Sequence, residues 1–363
     1  MCCLGLGGCA GTPAHAPLAT VPPLLNYVGQ AQVPSGAVFD GTVIGGLSAV
    51  SYDAGRQVYY VVSDDRSEHN PARFYVVRIS LSDKGIGDVT FTEMHPLLDQ
   101  SGQPFRPLDV NATPPVVPPD PEGIAFDAAR QRLYWSSEGE RIINGPVLLD
   151  PWVRTAALDG AYLGQFALPP NLAMSAQNTG PRRNRALEGL ALTPDGRSLF
   201  AAMEDPGYND GPESNGNQGV LTRITKLDVA TSAPVAQYAY PMEPAASPAD
   251  RNGVSDLVAL SDTTFLVLER SDSAPPVVRV FRADIGGATD VLTLPSLTGA
   301  QLTPISKSLA IDLSHTAGLT APIANLEGIT LGPKLPGGRQ SVLLVSDNDF
   351  SSAKVTQFVL LAM

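Results

Sequence analysis

One pattern occurs five times along the 363 residues: a short apolar strand opened by a small polar or acidic residue, a turn, and a second apolar strand ending in acids. The copies are GLSAVSYDAGRQVYYVVSDDR (Gly46 to Arg66), PEGIAFDAARQRLYWSSEGE (Pro121 to Glu140), LEGLALTPDGRSLFAAMED (Leu187 to Asp205), VSDLVALSDTTFLVLERSD (Val254 to Asp272) and LEGITLGPKLPGGRQSVLLVSDND (Leu326 to Asp349). With Ser48, Glu122, Glu188, Asp256 and Glu327 as equivalent positions, the spacings are 74, 66, 68 and 71 residues. Ser255 is the alternative to Asp256 in the fourth copy. From the opening residue to the closing acid is 16 residues in each of the first three copies. A fixed period of this kind means a repeat architecture, in which each unit buries its apolar face against its neighbours.

Two further strand-like runs rich in Val, Thr and aromatics follow each of the first three hairpins. Four antiparallel strands per repeat describe a propeller blade. The 34 glycines and 33 prolines agree, since both residues disfavour helix interiors. The last repeat supplies only three strands before Met363, while the run Leu24 to Val33 has no partner of its own. Pairing the two closes the ring and removes two open sheet edges. The expected fold is therefore all-β, a propeller of five four-stranded blades closed by an N-terminal strand. Six blades stay open, because Val291 to Leu294 and Lys307 to Leu313 are spare strand candidates. The division is residues 1–23 as leader and tether and 24–363 as one propeller domain.

In a blade the inner strand runs along the channel and the second strand returns beside it. The start of the first and the end of the second therefore share one face. Radial repetition gathers Glu122, Glu188, Asp256 and Glu327 there with Asp64, Asp65, Glu138, Glu204, Glu269, Asp347 and Asp349. Like charges held this close repel and raise one another's pKa values, a conflict that bound cations remove. Hard oxygen donors without cysteine suit Ca²⁺, or Mg²⁺ or Mn²⁺. The alternative for the opening Glu residues is hydrogen bonding to a neighbouring blade's amides. Arg66 and Arg270 follow second-strand acids; they either hold an anionic substrate bidentately or form ion pairs with the adjoining acids. Asp64, Asp65, Glu122, Glu138, Glu188, Glu204, Asp256, Glu327, Asp347 and Asp349 are the candidate ligands. Glu122, Glu188, Glu327, Arg66 and Arg270 are the candidate catalytic residues.

Gly-Gly-Leu-Ser at Gly45 to Ser48, Ser-Asp-Asp-Arg at Ser63 to Arg66, Leu-Glu-Arg at Leu268 to Arg270, Asn-Leu-Glu-Gly-Ile at Asn325 to Ile329 and Ser-Asp-Asn at Ser346 to Asn348 carry a family resemblance. In motif order, from about Asn26 to Met363, the chain resembles the bacterial phytase-like, "esterase-like activity of phytase" family. The resemblance implies hydrolysis of phosphate or other esters on a small anionic substrate. It brings no catalytic set. A calcium-dependent lactonase-like propeller and a non-catalytic envelope propeller that binds a ligand or protein are the competing readings.

Other chemistries lack their residues. No Gly-x-Ser-x-Gly elbow, nucleotide-phosphate loop or His-Glu-x-x-His helix occurs. His69 is the one histidine near the acidic face; it reads as a solvated loop residue, with an acid–base role as the alternative. The loop Asp205 to Gly219 interleaves Asp, Asn and Gly without the EF-hand spacing and reads as a solvated surface loop. A net charge of −12 excludes a general clamp for nucleic acid. No apolar stretch is long enough to span a membrane. The three cysteines all lie in the first nine residues, where Leu6 to Gly11 resembles a lipobox around Cys9. An exported protein is expected, periplasmic or anchored to the outer membrane through lipidated Cys9, otherwise secreted, and monomeric.

Overall fold

A computed structural model describes residues 24–145, 147–319 and 322–363. The expected lipobox at Leu6 to Gly11 and the expected tether lie outside these residues. Five four-stranded antiparallel sheets form the blades of a propeller. From channel to rim the first blade is Leu47–Asp53, Val58–Ser63, Arg73–Ser82 and Gly85–Pro96. The second is Pro121–Asp127, Arg132–Ser137, Trp152–Ala156 and Tyr162–Gln165. The third is Leu187–Leu192, Ser198–Met203, Val220–Asp228 and Ala233–Met242. The fourth is Asn252–Ala259, Thr264–Ser271, Val278–Asp284 and Ser306–Asp312. The fifth is Asn325–Lys334, Gln340–Asp347 and Thr356–Ala362, completed by Asn26–Val33.

The closing strand pairs antiparallel from Asn26 opposite Ala362 to Val33 opposite Thr356. Each inner strand packs against the inner strands on both sides, and the fifth meets the first. The run near Lys307 is the rim strand of the fourth blade, so it makes no sixth sheet. Val291 and Leu294 form no strand. They pack with Ala239 and Leu297 outside the third blade, and Arg223 binds both their carbonyls.

The core is a set of five apolar layers, one between each pair of neighbouring blades. Alternation along a strand divides residues between two layers. In Val58–Ser63, Tyr60 and Val62 meet Ile124 and Trp135 of the second blade, while Tyr59 and Val61 meet Leu343 and Phe358 of the fifth. Both faces of each sheet are covered, so inner strands read as continuous apolar runs rather than alternating ones.

Closest to the axis the strands approach backbone to backbone. A Cβ on Gly123 would lie 2.4 Å from the Glu188 carbonyl oxygen, one on Gly189 2.4 Å from Asp256 Cα, and one on Gly328 2.8 Å from Ala49 Cα. The repeated Glu-Gly pair is thus the point where one blade is set against the next. Gly189→Ala should cost about 1–3 kcal/mol through overpacking, read as a lower denaturant midpoint. Gly164→Ala, whose Cβ would meet nothing within 4 Å, should shift it little. Equal effects at the two sites would contradict close inner packing.

Candidate functional site

A β-bulge interrupts the pairing of every inner strand with its second strand at the same place. A bulge re-aims the side chain of the extra residue. The residues there are Ser48, Glu122, Glu188, Ser255 and Glu327. Ser255, not Asp256, therefore holds the fourth position, and Asp256 falls where Gly123, Gly189 and Gly328 lie in other blades. Its carboxylate is buried and accepts the amides of Leu257 and Ile329, both at 2.8 Å. It ties the fourth blade to the fifth and does not line the channel mouth.

The second-strand register shifts accordingly. Leu47, Pro121, Leu187, Val254 and Leu326 pair with Ser63, Ser137, Met203, Glu269 and Ser346. The next residues, on the mouth, are Asp64, Glu138, Glu204, Arg270 and Asp347. Arg270 stands where the other four blades carry a carboxylate. Glu269, expected on the mouth, lies one residue earlier. Tyr240 Oη and Asn252 Nδ2 each donate to its carboxylate at 2.7 Å.

Asp64, Glu122, Glu188, Glu204, Arg270, Glu327, Asp347 and Asp349 line one cavity of about 770 Å³. Glu138 lies buried beneath. One carboxylate oxygen each from Asp120, Glu122 and Glu138 lie within 4.8 Å of one another, as do one each from Glu138, Glu188 and Glu204. Glu138 belongs to both sets. The Ala186 amide donates to its Oε1, and Oε2 is buried with no partner. Among the described residues no hydrogen bond reaches the Asp64, Glu122 or Glu188 carboxylates.

Two expected residues are engaged elsewhere. Asp65 is paired with buried Arg73 at 2.7 Å and caps the amides of Glu68, His69 and Asn70. Arg66 bonds Glu140 and lies 3.4 Å from Asp120, away from the cavity lining. His69 stacks on Phe350, with 4.3 Å between ring centroids. Part of the loop after Asp205 is fixed, because Asp210 forms a buried pair with Arg223 at 2.7 Å. Asp120 and Arg185 belong to the site but fall outside the repeat copies. The acid two residues before the Glu122-Gly123 pair was the readable signal for Asp120. Arg185 Nη1 donates to both Glu204 oxygens at 2.8 Å, and Arg270 Nη2 lies 2.7 Å from Glu327 Oε1.

A family model described as phytase-like, esterase-like activity of phytase, matches residues 42–350. The chain belongs to that family. The comparison with curated proteins gave no match. Among solved structures, Kuenenia stuttgartiensis hydrazine synthase is similar at 12% identity and TM-score 0.37, covering 93% of this chain and 81% of its own. An exo-β-1,3-galactanase from Phanerochaete chrysosporium gives 13% and 0.45, covering 91% of this chain, which spans only 64% of the galactanase. The periplasmic gluconolactonase of Pseudomonas aeruginosa gives 12% and 0.36, with coverage of 90% and 89%. At such identities and scores, none of the three bears on what this phytase-like chain does.

Electrostatics divide the mouth. Burial first, then neighbouring carboxylates, push Asp64, Glu122, Glu138, Glu188 and Asp347 well above the usual carboxylate range. Burial lifts Glu327 to about 7, with Arg270 opposing, and Asp120 to about 6. Asp349 is instead lowered, chiefly by its hydrogen bond with Asp347. An unfolded carboxyl ionises near pH 4 (about 3.9–4.3). Between that value and the raised native values, the folded chain holds protons that the unfolded chain has lost. Stability must fall as pH rises through this window. In EDTA, the melting temperature of this phytase-like protein should therefore drop from pH 5 to pH 8. A melting temperature that is flat or rises over that range would show that the mouth carboxylates are not raised.

Proposed function

We propose that this phytase-like chain is a divalent-metal-dependent hydrolase of phosphate or other esters, with Ca²⁺, or Mg²⁺ or Mn²⁺, held at the acidic mouth. The observation that carries the reading is the pair of carboxylate triads sharing Glu138, whose Oε2 is buried and without a partner. A buried ionised oxygen without a partner is costly, and a cation satisfies it. The donors are all carboxylate oxygens, which fit hard cations. Asp120, Glu122 and Glu138 would form one ligand set and Glu138, Glu188 and Glu204 the other. Both sets come from the second and third blades, which supports off-axis ions over the single axial ion expected of a lactonase-like propeller.

A bound divalent cation supplies Lewis-acid polarisation of an ester oxygen and lowers the pKa of water. The chain supplies the rest. Arg270, its side chain 12% exposed between Glu327 at 2.7 Å and Glu204 at 3.6 Å, offers a fixed charge to an anionic ester oxygen at the edge of the second triad. Glu327 lines the cavity with its pKa raised to about 7. Arg270 and Asn325 Nδ2 both approach its Oε1, at 2.7 and 2.9 Å, so Oε2 is left to carry the proton. Glu327 is thereby placed as the group that protonates a leaving alcohol near neutral pH.

Ca²⁺ should raise the melting temperature of EDTA-treated protein by mass action, with about 2.7 kcal/mol of stabilisation at a hundredfold excess over Kd. Glu138→Gln should abolish both that response and any metal-dependent ester hydrolysis. Glu327→Gln should abolish hydrolysis and keep the Ca²⁺ response. Exposed Asp262→Asn, outside the cavity, is the control. A melting temperature indifferent to Ca²⁺, Mg²⁺, Mn²⁺ and EDTA would refute the metal reading.

A further inference from the structure

The cavity is two-sided in chemistry as well as charge. From Arg270 the chain continues into the loop Ser273 to Pro276, and the inner strand bearing Glu327 is preceded by Pro322 to Ala324. Ala274, Pro275, Pro276, Pro322, Ile323 and Val355 line the cavity beside the Arg270–Glu327 pair. These are partly or fully exposed apolar groups at the rim of a charged concavity. Both segments are anchored: the Ala324 amide donates to Gln357 Oε1 at 3.0 Å and Gln357 Nε2 to Gln30 Oε1 at 2.6 Å, while Ser273 Oγ donates to the Pro275 carbonyl at 3.0 Å and the Val277 amide to Ser271 Oγ at 2.8 Å. Ile323 also packs on the apolar layer between the fourth and fifth blades. An anchored apolar rim gains by covering itself with an apolar ligand group, and little of that gain is lost to ordering.

The charge balance points the same way. Eight carboxylates line the cavity against three cations, Arg185, Arg270 and Lys354. Glu204 takes Arg185 with both oxygens and Asp349 pairs with Lys354, whereas Glu327 takes only Nη2 of Arg270, whose Nε has no partner among the described residues. Such a cavity has few free positive charges for a ligand bearing many phosphates. It has one arginine at the mouth position and an apolar wall next to it.

We infer that the site selects small esters with a single anionic group joined to a compact apolar substituent, the anion beside Arg270 and the substituent against the Pro275–Pro276 and Ile323 wall. The inference rests on the hydrolase reading for its chemistry, and its test reads binding. Isothermal titration of the full chain with Ca²⁺ present would compare phenylphosphonate, methylphosphonate and inositol hexakisphosphate, none requiring turnover to be measured. Covering a phenyl group on the wall should make phenylphosphonate about tenfold tighter than methylphosphonate. Ile323→Ala and Val355→Ala, each checked for an unchanged melting temperature, should shrink that preference while leaving methylphosphonate affinity in place. Arg270→Lys should weaken both phosphonates together. Equal affinity for the two phosphonates, or tightest binding of inositol hexakisphosphate, would overturn the inference. A clear phenyl preference without hydrolysis of phenyl esters under any cation would uphold the selectivity and overturn the hydrolase reading alone.

Discussion

Close packing of five inner strands around one axis is the constraint on which the rest depends. Backbones can meet at these distances only where one side lacks a Cβ, and three blades use glycine there. The residue before each glycine sits on the bulge and turns its side chain to the channel mouth. The Glu-Gly pair therefore performs two tasks at adjacent positions: glycine lets the blades close, and glutamate is delivered to the shared face. Where a blade departs from the pair, the packing solution changes with it. The first blade uses Ser48-Ala49, and the Ser48 hydroxyl donates to the Glu122 carbonyl at 2.9 Å. The fourth uses Ser255-Asp256, and the carboxylate of Asp256 bonds backbone amides.

That departure also breaks the charge symmetry. Five equivalent acids would spread repulsion evenly around the axis. With Arg270 at the fourth blade, Glu204 and Glu327 gain a cationic neighbour and Asp120 has Arg66 at 3.4 Å, while Glu122, Glu138 and Glu188 crowd together with no ion pair among the described residues. Glu204 stands at the boundary, grouped with Glu138 and Glu188 on one side and accepting from Arg185 with both oxygens on the other. A ring that would otherwise be uniformly anionic thus has a side suited to cations and a side suited to an anion. Both lie in one cavity, as the proposed metal-assisted ester hydrolysis requires.

Most of the fold was legible because repeat period and strand count are properties of the chain. The strand missing from the last copy and the unpaired run near Asn26 pointed to each other. The candidate site was legible only where the repeat stayed regular. Glu122, Glu188 and Glu327 share the Glu-Gly pair, and Asp64, Glu138 and Glu204 share the offset of 16 residues. The fourth copy was misaligned by one residue because its bulge carries serine and its glycine position carries an acid. That slip placed Asp256 and Glu269 on the mouth and obscured Arg270 as an acid's replacement. Asp65 shows the other limit. Its neighbour Asp64 reaches the cavity, but a two-residue acidic pair does not reveal which member turns inward to a buried arginine.

The cavity wall follows from closure rather than from repetition. Gln32 comes from the N-terminal strand, Lys354 and Val355 from the approach to the third strand of the fifth blade, and Pro322 to Ala324 from the link into that blade. These segments surround the joint where the ring is completed. Repeated strands supply the charged floor, whose geometry is fixed by the packing of the blades. The joint supplies the wall, where loop length and composition change without disturbing that packing. On the proposed function, chemistry and selectivity are thus written in different parts of the chain. The acidic floor is bound to the fold itself, whereas the apolar rim can vary while the same floor is kept.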